Sequence, residues 1–131
     1  MADRKVFVSY DYDNDRHYRQ LLSAWDANAG FDFSFEDHST PYINSEDASR
    51  IKAAISAKLS GAECLLVIVG EHTASSDWVA WEIAKAKELG LCLVGVKIDR
   101  TYASPTGLVG SGASWAYAFD RVPIVAALDA C

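Results

Sequence analysis

The residues best equipped for chemistry in this chain lie in the run Ser75-Ser76-Asp77-Trp78-Val79-Ala80-Trp81-Glu82. Read as the opening of a helix, the run puts Val79, Ile83 and Ala86 on one stripe, the face that packs on a sheet. Trp78 and Glu82, four apart, share a second stripe toward the helix N-terminus. A carboxylate one turn into a helix, beside an indole and above a sheet edge, is placed to meet a ligand. The same spacing permits an exposed Glu82 paired with Lys85, worth about 0.3–0.5 kcal/mol. Spacing alone leaves both readings open.

A second concentration of acid is Ser9-Tyr10-Asp11-Tyr12-Asp13-Asn14-Asp15. Asp13 and Asp15 suit a solvated helix start, where the helix dipole favours negative side chains. Tyr10 and Asp11 leave the preceding strand directly and are candidates to line a pocket. His17, His38 and His72 are isolated and read as surface residues. Familiar enzyme signatures are missing. There is no G-x-x-x-x-G-K-[ST], no G-x-G-x-x-G and no G-x-S-x-G. The strand before Gly70 ends in Val rather than the Asp of a phosphoacceptor.

The elements that must position these groups alternate. Lys5 to Tyr10 has apolar residues on both parities, as in a strand buried on two faces of a parallel sheet. Tyr18, Leu21, Leu22 and Trp25 mark an amphipathic helix that ends near Asn28 to Gly30. Phe31 to Phe35 alternates strictly, as a more exposed, edge-side strand does. Residues 36–44 are polar, contain Pro41 and read as a loop. Ser45 is a candidate cap for a helix carrying Ile51, Ala54, Ile55 and Leu59 and stopped by Gly61. Cys64 to Val69 is the most hydrophobic run and belongs at the sheet centre. A loop from Gly70 to Ser75 leads to a helix from about Ser76 to Leu89, closed by Gly90. Leu91 to Ile98 is a further buried strand. A Gly-rich connection (Pro105 to Ser114), a weak aromatic segment (Trp115 to Phe119) and a last helix with Pro123 in its first turn complete the chain.

Strands alternating with helices predict one α/β domain over residues 1–131: three layers, with a doubly wound, flavodoxin-like parallel sheet of order 2-1-3-4-5 and a doubtful fifth strand. In such sheets ligands bind beyond the carboxyl ends of the strands, where the order reverses. That point gathers Ser9 to Asp15, Glu36 to Ser45 and Gly70 to Glu82.

Composition narrows the class. The chain has 131 residues, half of them hydrophobic, which suits a single core. A net charge of −6 with scattered Lys and Arg disfavours nucleic acid and anionic membrane as partners. No apolar run approaches the roughly 20 residues that span a bilayer. Cys64, Cys92 and Cys131 form no C-x-x-C pair and lack His at metal-ligand spacing, and an odd count does not suggest a disulfide framework. A cytoplasmic protein without a metal or a bound cofactor is the expectation.

These segments resemble a known family. KVFVSYDYDNDRHYRQLL is similar to the first box of TIR-like domains, where a strand ends in Ser plus an aromatic and an acidic turn follows. FDFSFEDHS resembles the second strand and the start of the following loop. GEHTASSDWVAWEIAKAKELG resembles the helix in which catalytic TIR domains carry S-x-W-x-x-x-E, here Ser76, Trp78 and Glu82. Val79 stands where many TIR domains have Cys. The subgroup it most resembles is the ThsB-like TIR domain of the bacterial Thoeris antiphage system, over about residues 4–100.

The resemblance implies an enzyme that cleaves the nicotinamide–ribose bond of NAD and forms a cyclic ADP-ribose isomer, a diffusible signal for a separate effector. NAD is then substrate rather than cofactor. Glu82 would be catalytic, engaging the ribose hydroxyls and stabilising an oxocarbenium-like transition state. Ser9, Tyr10, Asp11, Asp37, Ser76 and Trp78 would bind substrate, with Tyr10 and Trp78 as a stacking wall. The family often carries His where this chain has Asp11. Self-association also follows from the resemblance. Two other readings compete: a non-catalytic TIR-type scaffold whose contact surface is the 36–44 loop, and a nucleoside deoxyribosyltransferase-like N-glycosidic enzyme with a glutamate nucleophile.

Overall fold

The computed structural model describes residues 4–11, 14–15, 17–18, 20–22, 31–34 and 46–130. Five strands, β1 (Arg4–Ser9), β2 (Phe31–Ser34), β3 (Cys64–Val69), β4 (Cys92–Lys97) and β5 (Ser114–Ala116), form one sheet. All pairings are parallel and the order is β2-β1-β3-β4-β5, the flavodoxin-like order expected from the sequence. The doubtful fifth strand exists. It is three residues long, paired through Val94↔Ser114, Gly95↔Trp115 and Val96↔Ala116. Its brevity explains its faint signal, since three residues cannot display a period.

The described residues between 14 and 22 are helical. They are followed by α1 (Glu46–Ser60), a 3-10 turn at Thr73–Ser75, α2 (Asp77–Glu88) and α3 (Arg121–Asp129). The 3-10 turn lies inside the segment expected to be an irregular loop. Gly90 follows α2 with a φ of 75°, the left-handed conformation that glycine adopts without cost. Asp120 caps α3 by accepting from Arg121 N at 2.8 Å, and Pro123 falls in the first turn, where its missing N–H is harmless. The predicted end of the first helix at 28–30, the 36–44 loop and the Ser45 cap lie outside the described residues.

The sheet has a core on each face, as strands with apolar residues on both parities require. Val6, Val8, Leu66, Ile68, Val94 and Val96 point to one face and pack with Leu22 of the 14–22 segment and Ile124 and Leu128 of α3. Phe7, Leu65, Val67 and Leu93 point to the other and pack with Ile55 and Leu59 of α1 and Val79, Ile83 and Ala86 of α2. Each fully buried aliphatic side chain stabilises the fold by about 1.5–3 kcal/mol. Three layers result.

Cys64 is buried in β3 and is not part of a disulfide. Cys92, however, is disulfide-bonded, a bond that an odd cysteine count did not suggest. Cys131 lies outside the described residues. Among the described residues no helix is long and apolar enough to cross a membrane.

Candidate functional site

Strand parity decides which predicted site residues meet. Ser9 ends β1 in register with Val67, so its side chain shares the face of Phe7, Val67 and α2. Glu82 lies on the buried side of α2 with Trp78, Val79, Ile83 and Ala86. The two converge. Ser9 Oγ donates to Glu82 Oε1 at 3.0 Å, and both residues are sealed, with 0% and 1% of their surface exposed. A buried carboxylate is costly unless hydrogen-bonded, so this bond is part of what allows Glu82 to sit there.

The surface ion pair that competed for Glu82 is therefore not formed. Lys85 Nζ pairs instead with Glu88 Oε1 at 3.4 Å, on the outer side of α2. The two stripes expected on this helix are also one. Positions 78, 79, 82, 83 and 86 are all buried, a face wide enough to meet both β1 and β3.

Tyr10 lies elsewhere. One residue beyond Ser9, it turns to the opposite face and is buried among Val8, Leu22 and Ile68. The expected stacking wall of Tyr10 and Trp78 is thereby corrected: alternation puts the two rings on opposite sides of the sheet. Trp78 is buried on the Glu82 side and meets Trp81 edge-on, with centroids 6.3 Å apart. Ser76 caps α2, its hydroxyl accepting from Val79 N at 3.3 Å. It also borders a cavity of about 150 Å³ between α2 and residues 105–107. Asp11 is half-buried and starts the first helix. Its carbonyl accepts from Asp15 N at 2.8 Å and its carboxylate from Asn14 Nδ2 at 2.6 Å. Asp37 lies outside the described residues.

A polar cluster at the same end of the sheet escaped the sequence reading. Asp15, expected from the sequence at a solvated helix start, is buried against the loop that leaves β3. Thr73 Oγ1 accepts from Gly70 N at 2.7 Å, and its single proton is shared between Ile68 O at 3.2 Å and Asp15 Oδ2 at 3.4 Å. Gly70 makes room: a Cβ there would lie 2.6 Å from Asp15 Cγ. Burial raises the Asp15 pKa, the Asp11 carboxylate adds to the rise, and the Thr73 hydrogen bond opposes it. The reversal of strand order gathers both segments, Ser9 to Asp15 and Gly70 to Glu82, but no spacing within either one pairs Asp15 with Thr73. Among the described residues no three His, Cys, Asp or Glu side chains gather to hold a metal ion.

The family model for the Thoeris protein ThsB, TIR-like domain, matches residues 7–103, about three quarters of the chain. The chain belongs to that family. No curated protein matches its sequence. Solved structures similar to this TIR-like domain include the TIR domains of the activated Roq1 resistosome that recognises the pathogen effector XopQ. They share 19% identity and a TM-score of 0.54, over 72% of this chain and 57% of that one. A 2-deoxyribosyltransferase from Bacillus psychrosaccharolyticus is similar at 12% identity and a TM-score of 0.68, over 91% and 90% of the two chains. The corresponding enzyme from Leishmania mexicana is similar at 16% identity and a TM-score of 0.56, over 73% and 65%. At such identities the likeness is one of fold. The ThsB-like domain spans little more than half of the Roq1 chain it matches.

Proposed function

We propose that this TIR-like domain is an NAD glycohydrolase and ADP-ribosyl cyclase of the Thoeris type. In this reading it cleaves the nicotinamide–ribose bond and closes the remainder into a cyclic ADP-ribose isomer. The observation that carries the reading is the buried pair Ser9–Glu82 at the carboxyl end of β1, beside the point where the strand order reverses. Buried and hydrogen-bonded carboxylates at such a point are candidates for function rather than surface solvation.

Glu82 would accept the hydroxyls of the nicotinamide ribose and stabilise positive charge as the C1′–N bond breaks. Nicotinamide leaves as a neutral base, so no strong general acid is required. A hydroxyl or adenine nitrogen of the same molecule then attacks C1′. Ser9 would hold the Glu82 carboxylate in one orientation, and Ser76 and Trp78 would fix the helix turn that carries it. Because Ser9 and Glu82 are both closed to solvent, catalysis in this reading begins with an opening of the packing around them. A domain that waits for a trigger, a soluble cytoplasmic location, self-association and a separate effector reached by the cyclic product are parts of the same proposal.

The test is incubation of the full chain with NAD, alone and in lysate of phage-infected cells, followed by mass spectrometry. Release of nicotinamide and a cyclic product by wild type, and loss of both in Glu82→Gln, are expected. Wild-type product from Glu82→Gln would remove the catalytic assignment. Turnover of deoxynucleosides in place of NAD would move the chain to the deoxyribosyltransferase reading, and filaments without turnover to the scaffold reading.

A further inference from the structure

Cys92 opens β4 and is disulfide-bonded, in a chain that has three cysteines. Cys64 stands directly beside it. The two are Cα partners in the β3–β4 register, their side chains enter the same core, and Cys64 is not part of a disulfide. The bond therefore passes over the neighbouring sulfur. Cys131 is the remaining cysteine of the sequence, just beyond the end of α3.

A bond from the start of β4 to that point would fasten the most thinly held part of the fold. β5 has three residues and α3 nine. A helix of that length is marginal by itself, so packing has to supply its stability. α3 gives Ile124, Ala127 and Leu128 to the core, while Val122 is 77% exposed. A helix that follows a parallel strand runs back along the sheet. The last turn of α3 thus heads for the amino ends of the strands, where β4 begins, and Leu128 shares a core with Cys64 and Cys92. Cys92 is half-buried, whereas Cys64 is fully sealed. A small thiol reaches the sulfur of Cys92 from solvent and not that of Cys64.

We propose that Cys92 is a site of reversible redox modification, its disulfide closing on Cys131 and fastening α3 to the start of β4. The couple that works it is a low-molecular-weight thiol and its disulfide, of the glutathione class. In the reducing direction one thiolate attacks the bond, forms a mixed disulfide and expels one cysteine as a thiolate. A second thiolate attacks the mixed disulfide and expels the other cysteine. The protein gains two electrons and two protons, and two small thiols become one small disulfide. In a reducing compartment the dithiol is the resting form, and the bond marks oxidation. Oxidation closes a loop of about 40 residues, which restricts the unfolded chain and holds α3 down. After reduction α3 is held by its packing alone. The site lies on the face of the sheet opposite Ser9 and Glu82 and does not rest on the NAD reading.

The test equilibrates the full chain in glutathione buffers of graded redox ratio, then quenches each sample for peptide mass spectrometry. One peptide pair joined through Cys92 and Cys131, lost on reduction with a single midpoint, is expected. The folding constant in urea should be about a hundredfold larger at the oxidised end than at the reduced end. Hydrogen exchange on reduction should rise first in the α3 amides. Cys92→Ser and Cys131→Ser, checked for folding by circular dichroism, should each abolish the redox difference, while Cys64→Ala should retain it. Cys92 joined to Cys64 or to a second chain would overturn the proposal. So would a bond that survives at every glutathione ratio, equal stability of the two forms, or a redox difference that persists in Cys131→Ser.

Discussion

Ser9 and Glu82, 73 residues apart in the chain, are joined by a 3.0 Å hydrogen bond inside the layer between β1 and α2. The bond ties the last residue of a strand to the middle of a helix that follows a different strand. It makes the orientation of the carboxylate depend on the β1–β3 register, in which Ser9 faces Val67. Any slip by one residue would turn Ser9 to the other face and leave Glu82 short of a donor.

Ser9→Ala therefore removes a donor from a buried carboxylate while hardly changing volume. The expected loss is about 1–3 kcal/mol in urea unfolding, with the far-UV spectrum unchanged. In the proposed reaction, NAD turnover should also fall, though less than in Glu82→Gln. A variant as stable as wild type would mean that the hydroxyl does not hold the carboxylate.

Lys85→Ala separates the two fates of Glu82. Since Lys85 pairs with the exposed Glu88 at 3.4 Å, its removal should change stability by less than about 0.5 kcal/mol and leave any NAD turnover intact. Losses comparable to those of Ser9→Ala would reinstate a Lys85–Glu82 interaction.

Much of the architecture was legible because its signals are periodic. Two-sided apolar strands such as Lys5 to Tyr10 and Cys64 to Val69 announced a parallel sheet buried on both faces, and the alternation with helices made the flavodoxin-like order the natural expectation. The α2 stripe of Val79, Ile83 and Ala86 was legible for the same reason, and so was the position of Glu82 near the switch point. What escaped was contact between elements. Nothing in the spacing says that Ser9 reaches Glu82 or that Lys85 turns to Glu88. Nor does it say that Asp15 lies under Thr73, because each depends on how separate elements dock. Tyr10 lies away from the pocket because side chains alternate along the strand, so the residue after Ser9 turns to the opposite face.

Gly70→Ala should destabilise the domain by about 1–3 kcal/mol, because the new methyl would lie 2.6 Å from Asp15 Cγ. The cause can be isolated with a double-mutant cycle. In an Asp15→Ala background the methyl has no carboxylate to strike, so Gly70→Ala should cost markedly less there. Additive losses would place the strain in the backbone instead.

Asp15 gives the domain a pH dependence of known sign. Its carboxyl is raised above the ordinary value of 3.8 by burial first and the Asp11 charge second, so the folded state holds this proton more tightly than the unfolded chain does. Its contribution to stability is fully present below pH 3.8 and is lost as pH rises through the folded value. Asp15→Asn keeps an acceptor for Thr73 and carries no charge at any pH. Its stability relative to wild type should therefore increase as pH rises from below 3.8 to neutrality, and then level off. Urea midpoints of the two proteins across that range measure the difference directly. A gap that is constant with pH would show that the Thr73 hydrogen bond cancels the burial of the charge, and one that narrows toward neutrality that it outweighs it.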